Sequence, residues 1–438
     1  MVRWRRWAVP EEVQTFSMRR EALAGLANFL TAGYIIAVNP DILSITGMDK
    51  LALISVTCYA SALGSFLMAF WPRVPVMMAP GMGLNAFFAY TICQTHKVPW
   101  TTALGIVFLA GVLFIFLTVG GLRERIIEAI PPGLRFAIPV GIGVFIAFIG
   151  LQKIGLIQDH PATLVTMGPI RPEIALALIG LVVTFWMESL GIRGSLLIAI
   201  LGVTLLAMLF GWVRAPEQWI QRPPPIGSLF LKMDVADALR PEHWLSIFAF
   251  MYVALFDGLG TLTAIAYQAG LQRDGRIPRI GRMLMADAVG ATAGAVLGTS
   301  TVTAYIESGA GVATGGRTGW TACFTGILFL IAPLFSGVIV RIPGYATGIA
   351  LIVVGVYMFR HIREIDFTRW IEGAPAFLTI LLMPLTYSIA TGLCYGILTY
   401  IVLIMLTRQW HRLSGVLLFI GGLSVLYLYL ATRGLAHA

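Results

Sequence analysis

Apolar runs follow one another along nearly the whole 438-residue chain. Each is about 17–25 residues long, enough to span a bilayer as a helix. Hydrocarbon leaves every backbone polar group to be satisfied within the protein, so only helices and closed barrels can cross it. The chain is 58% hydrophobic and 12% charged, about half the charge of a soluble domain. The sequence therefore predicts an all-α polytopic membrane protein, with no detached soluble domain.

Fourteen spans are predicted, at residues 21–40, 51–71, 76–93, 101–120, 135–152, 174–190, 194–212, 244–269, 283–298, 299–314, 317–336, 345–360, 374–389 and 391–407. A further apolar stretch, 415–430, fits either an extra span or an interfacial helix. The longest polar gap runs from Trp212 to Trp244 and holds Pro216, Pro223, Pro224, Pro225 and Pro241. It divides the spans into seven and seven. An odd number per half gives the halves opposite topology, the inverted-repeat plan of secondary transporters.

The net charge of +9 is explained by loop asymmetry. With the N-terminus inside, twenty Lys and Arg residues fall on the cytoplasmic side and nine outside, as the positive-inside rule expects. No basic face with interleaved aromatics stands clear of the membrane, which argues against nucleic acid as a partner. The basic start of the chain lacks an apolar core with a cleavage site and reads as a cytoplasmic leader. Cys58, Cys93, Cys323 and Cys394 are scattered through apolar segments without metal-ligand spacing. Neither a metal nor a cofactor is expected. Motifs of the HExxH or GxSxG kind are absent, so nothing points to an intramembrane enzyme. A channel would show a repeated pore-lining pattern.

Chemistry concentrates in a few places. Asp257 stands in the middle of the eighth span, with no Lys or Arg on the same helix. Glu307 and Asp287 flank the small and hydroxylated run Gly298–Thr303, which makes a poor membrane helix. Carboxylates at membrane depth are expensive and mark functional sites by default. Residues 79–85 end at Asn85 and residues 301–307 end at Glu307. Both stretches open extended and place a polar side chain just inside a half-helix. The β-branched opening of the tenth span favours strand over helix. Asn85 offers a donor and an acceptor together, which suits a planar heterocycle with ring N–H and C=O groups. Phe87, Phe88, Phe256 and Tyr305 lie near enough in sequence to stack on one. Asp287 heads a helix whose Gly290, Gly294 and Gly298 form a small-residue face for close packing. It fits a structural hydrogen bond as well as a direct role. The six histidines sit in or beside loops, and none is placed to relay protons.

At these residues the chain resembles the AzgA-like branch of the nucleobase:cation symporter-2 superfamily, purine permeases for hypoxanthine, guanine and adenine. The resemblance runs from about Glu21 to Thr407. It is carried by TAGYIIAVNPDIL (31–43), APGMGLNAFFAYTI (79–92), GLRERIIEAIPP (121–132), GIGVFIAFIGLQ (141–152), FDGLGTL (256–262), ADAVGATAGAVLGTSTVTAYIESGAGVATGGRTG (286–319), YATGIALIVVG (345–355) and PAFLTILLMPLTYSIATG (375–392). It implies a seven-plus-seven inverted repeat with short strands in spans 3 and 10. A core domain, 21–120 and 244–336, carries the substrate. A gate domain, 121–212 and 337–407, supports it and forms a homodimer. Segments 1–20, 213–243 and 408–438 are the leader, the inter-repeat loop and a C-terminal extension. The substrate-binding polar positions fall on Asn85, Asp257 and Glu307, and Asp257, Glu307 and Asp287 inherit proton coupling. Uracil-transporting relatives have a histidine where Thr261 stands. Departures fall at Gly258, where a hydroxyl residue is common, at Ala304, and at Ala32 and Gly33. The expectation is proton-driven import of a purine nucleobase by an elevator movement of core against gate. The alternative is the same fold carrying uracil, xanthine or an anion.

Overall fold

A computed structural model of the chain describes residues 8–9, 16–120, 131–271 and 277–435, excepting the side chains of 245, 255, 256 and 430–435. Most of the 1–20 leader, most of the GLRERIIEAIPP motif and the Phe256 side chain lie outside the described residues. Apart from two short strand pairs, the fold is helical among the described residues. Among the described residues, ten helices are long and apolar enough to cross a membrane. Ser195–Leu209, Trp370–Leu385 and Gly415–Tyr429 are shorter apolar helices.

Several predicted spans are not continuous α-helices among the described residues. The first is divided into Met18–Ala32 and Ile35–Leu43. Its second piece contains Pro40, which cannot donate to the carbonyl one turn back and clashes with it. At the junction the bonds tighten to Ile36 N→Gly33 O and Ala37 N→Tyr34 O. The span expected over 76–93 becomes a strand, Met78–Pro80, a short helix, Met82–Ala86, and a π-helical stretch, Phe87–Thr95. The span expected over 299–314 becomes a strand, Val302–Ala304, and a helix, Ser308–Ala313. Pro75, Pro80 and Gly81 punctuate the first of these arms, and β-branched residues the second.

The two strands pair antiparallel, with Met78 opposite Ala304, Ala79 opposite Thr303 and Pro80 opposite Val302. Gly81 N→Thr301 O (2.9 Å) and Tyr305 N→Met77 O (3.1 Å) extend the ladder at both ends. Irregular backbone at membrane depth survives only where protein or a water-filled cavity satisfies it, and here the arms satisfy each other. Glycines admit the crossing. A Cβ on Gly64 would lie 2.8 Å from Met78 Cβ, and one on Gly294 2.9 Å from Val302 Cγ2.

The Gly415–Leu435 segment is a helix laid against Ile389–Leu406. The Tyr427 and Ser388 hydroxyls meet at 3.3 Å. An exposed hairpin, Ile157–His160 with Leu164–Met167, was not expected. The apolar periodicity that locates spans carries no signal for so short a hairpin.

Candidate functional site

The crossing of the two arms brings the sequence-predicted polar residues to one place. Asn85 is wholly buried in the first turns of the first half-helix. Its N–H donates to Gly81 O at 2.8 Å and its Nδ2 reaches Pro80 O at 3.5 Å. Its Oδ1 is buried and has no partner among the described residues. An unpartnered buried acceptor costs about 1–3 kcal/mol, which favours a donor from a guest.

Glu307 stands at the N-cap position of Ser308–Ala313 but makes no side-chain capping bond. Its carboxylate instead accepts from the Tyr34 hydroxyl at 2.7 Å. Tyr34 sits at the break in the first span and is almost fully buried. It was not singled out from the sequence, although the Gly33–Tyr34 pair ahead of Pro40 is the signal for the break that presents it. Thr31 Oγ1 approaches the Glu307 carbonyl at 3.5 Å.

Asp257 projects from the middle of Trp244–Gln268 and is half-buried. Its Oδ2 lies 3.7 Å from where a Cβ on Gly81 would stand, so it faces the first arm. The first span thus serves the second arm through Tyr34, and the eighth serves the first arm through Asp257.

Asp287 is 1% exposed. Its Oδ1 accepts from Thr303 Oγ1 and from the Ala304 N–H, both at 3.0 Å. It fastens the second strand, as the structural reading of this residue expects. It also accounts for Gly258: a Cβ there would collide with the Asp287 carboxylate.

The aromatic residues divide. Tyr305 donates its hydroxyl to Pro80 O at 2.5 Å, which fixes its ring across the crossing. Phe87 packs on Phe250, with ring centroids 4.8 Å apart. Phe88 is wholly buried. Two serines that the sequence did not flag hold the first strand: Met78 N donates to Ser65 Oγ at 3.2 Å and Met77 N to Ser308 Oγ at 3.0 Å. Among the described residues no group of three or more His, Cys, Asp and Glu side chains could hold a metal ion.

The arrangement presents two carboxylates and a carboxamide beside the paired strands. It can accept hydrogen bonds from ring N–H groups and donate one amide N–H. No basic side chain forms an ion pair with either carboxylate among the described residues.

The fold is shared with solved transporters of low sequence identity. The transmembrane domain of the cyanobacterial bicarbonate transporter BicA superposes with a TM-score of 0.63 at 15% identity, over 88% of this chain and 98% of that one. Murine Slc26a9, an anion transporter in its inward-facing state, gives 0.63 at 12%, over 90% and 69%. Sequence relatives are much nearer. A permease of Methanocaldococcus jannaschii is 46% identical, over 94% of this chain and 96% of its own. The guanine/hypoxanthine permease PbuG of Bacillus subtilis is 41% identical over 88% and 90%. The adenine permease AdeP of Escherichia coli is 37% identical over 93% and 92%. The model of the Permease family, Xan_ur_permease, matches residues 19–394. The chain belongs to this permease family: it is a multi-pass membrane transporter and not an enzyme.

Proposed function

We propose that this permease is a secondary active transporter that imports purine nucleobases, namely hypoxanthine, guanine and adenine, by proton symport. The observation that carries the proposal is that Asn85 and Glu307 stand just beyond the paired strands, with Asp257 facing the first arm and a buried Asn85 oxygen that has no partner among the described residues. The names of the relatives, guanine/hypoxanthine and adenine permeases, support the same cargo. Asp257 and Glu307 cannot both stay charged in a dry, closed pocket without a large desolvation cost. One proton entering with a neutral purine removes that cost. Tyr305, Phe87, Phe88 and Phe256 complete the proposed site as stacking or packing surfaces.

The proposed architecture is fourteen spans in inverted seven-span halves, with the N-terminus inside the cytoplasmic membrane. Pro80 pairs with Val302. Asn85 stands as far beyond Pro80 as Glu307 does beyond Val302, and Ser65 as far before Pro80 as Asp287 does before Val302. Such a correspondence supports a two-fold relation through the strand pair. Core helices from 21–120 and 244–336 carry the site and move as an elevator against gate helices from 121–212 and 337–407. The gate also forms the homodimer contact.

Uptake of labelled hypoxanthine into proteoliposomes, competed by unlabelled bases, tests the cargo. Guanine or adenine should compete and inosine should not; competition by uracil alone removes the purine assignment. Raising the external pH at fixed internal pH lowers the inward proton gradient, so uptake should fall and a protonophore should abolish accumulation. Accumulation that survives the protonophore and follows sodium refutes proton coupling.

A further inference from the structure

Away from the crossing, one carboxylate gathers partners from three other helices. Asp41 lies near the end of Ile35–Leu43. It accepts from Lys50 Nζ at 3.0 Å and from Thr347 Oγ1 at 2.8 Å, and it forms a close ion pair with Lys153. Lys153 Nζ also reaches the Asp41 carbonyl at 3.3 Å. The Asp41 and Lys153 side chains are only 12% and 15% exposed, against 32% for Lys50. The pair with Lys153 is therefore poorly screened, and salt in the medium reaches it less than a surface pair.

The partners fall on both sides of the core–gate division proposed above. Lys50 opens the Lys50–Phe70 helix, which packs against the helix that carries Asp41. Lys153 sits in the last turn of Pro132–Ile154 and Thr347 in the first turn of Gly344–Phe359. These two helices lie backbone to backbone: a Cβ on Gly150 would stand 2.8 Å from Gly348 O, and one on Gly143 2.8 Å from Gly355 O. They form one stiff unit, and Asp41 reaches across to it from the other.

We propose that Asp41 is a positioning residue for the transport step. Its bonds to Lys153 and Thr347 latch the end of the first span onto the Pro132–Ile154 and Gly344–Phe359 helices, and they open each time the substrate-bearing helices move past. Lys50 moves with Asp41 and keeps its charge paired while the latch is open. Opening therefore breaks one ion pair and two hydrogen bonds, from Thr347 to the carboxylate and from Lys153 to the Asp41 carbonyl, without leaving a bare buried carboxylate, the costliest alternative. The inference rests on the two-unit reading of the previous subsection but not on the identity of the cargo.

The test uses the full-length protein in proteoliposomes, with Asp41→Asn, Lys153→Gln, Thr347→Val and Lys50→Gln. Hydrogen–deuterium exchange is followed over residues 35–47 and 344–350, beside guanine affinity and guanine counterflow. A latch predicts roughly tenfold faster exchange in both segments for Asp41→Asn and Lys153→Gln, a smaller rise for Thr347→Val, and less than about twofold for Lys50→Gln. Affinity should stay within about twofold while counterflow changes by about fivefold or more, since a shift between two states alters rate without touching cargo contacts. Lys153→Arg retains the ion pair and should restore wild-type exchange; it keeps the test informative if Asp41→Asn does not fold. Wild-type exchange in Lys153→Gln overturns the latch, as does an equal effect of Lys50→Gln, which would make the cluster a static part of the fold. Exchange needs no cargo, so a permease that ignores guanine still reports on the latch, and that failure falls on the proposed substrate alone.

Discussion

The two arms that cross at the centre of this permease are built alike and pinned differently. The Met78–Pro80 strand is held by a neutral group, Ser65, which accepts from Met78 N at 3.2 Å. The Val302–Ala304 strand is held by a carboxylate, Asp287, which accepts from both Thr303 and Ala304. The half-helices repeat the contrast, since one carries the amide Asn85 within Met82–Ala86 and the other has the acid Glu307 at its N-cap position. One arm thus carries no charge of its own and is faced by Asp257 from Trp244–Gln268, while the other carries acidity both at its anchor and at its tip.

Charge removal at the acidic tip should break the contrast most severely. Glu307→Gln keeps the shape and removes a half-buried charge, so the protein should remain folded. A hydrogen bond to a charged group is worth about 1.5–3 kcal/mol, so guanine or hypoxanthine affinity should drop roughly tenfold or more. Calorimetric binding to the purified variant, with its thermal stability recorded alongside, decides the matter. Wild-type affinity would remove Glu307 from the list of substrate ligands.

The acidic anchor should behave otherwise. Asp287→Asn weakens the two bonds that hold the second strand, at a cost of about 1–3 kcal/mol in stability. Transport rate should fall with it, while affinity changes far less than in Glu307→Gln. An affinity loss as large as that of Glu307→Gln, with unchanged melting, would make Asp287 part of the binding surface.

On the neutral arm the effects should be milder. Asn85→Ala removes a neutral donor and acceptor, so affinity should weaken by about 0.5–1.5 kcal/mol, a few-fold to tenfold. Competition with purines lacking one ring acceptor should show which of them loses least. Ser65→Ala is expected to be the smallest of the set. It leaves Met78 N without its partner and should cost about 1 kcal/mol of stability with binding intact. A Ser65→Ala protein that binds as poorly as Asn85→Ala would mean that the neutral anchor also sets the position of the amide.

Much of this contrast is legible in the sequence. Spans are announced by length and hydropathy, and the carboxylates Asp257, Asp287 and Glu307 stand out because charge at that depth is costly. The strand in the tenth span follows from its β-branched run. What could not be read is which polar groups meet. Tyr34 and Glu307 are far apart in sequence, and only the broken first span turns the tyrosine toward the acid. The place of Asp287 was likewise open, because a carboxylate facing substrate and one facing a backbone N–H look the same until the partner is seen. Gly258 is a departure from the family pattern when read alone, and becomes a steric requirement of Asp287 once spans 8 and 9 are brought together.

The pairing of Met78–Pro80 with Val302–Ala304 also has a consequence for the birth of the protein. Ribosomes add about 5–20 residues per second, so the first strand waits roughly ten seconds or more for its mate to be made. During that interval its backbone groups lie at a depth where lipid offers them nothing. The nascent first half must therefore linger in a hydrated or proteinaceous shelter, such as the insertion machinery, and the centre of the permease is among the last parts of it to close.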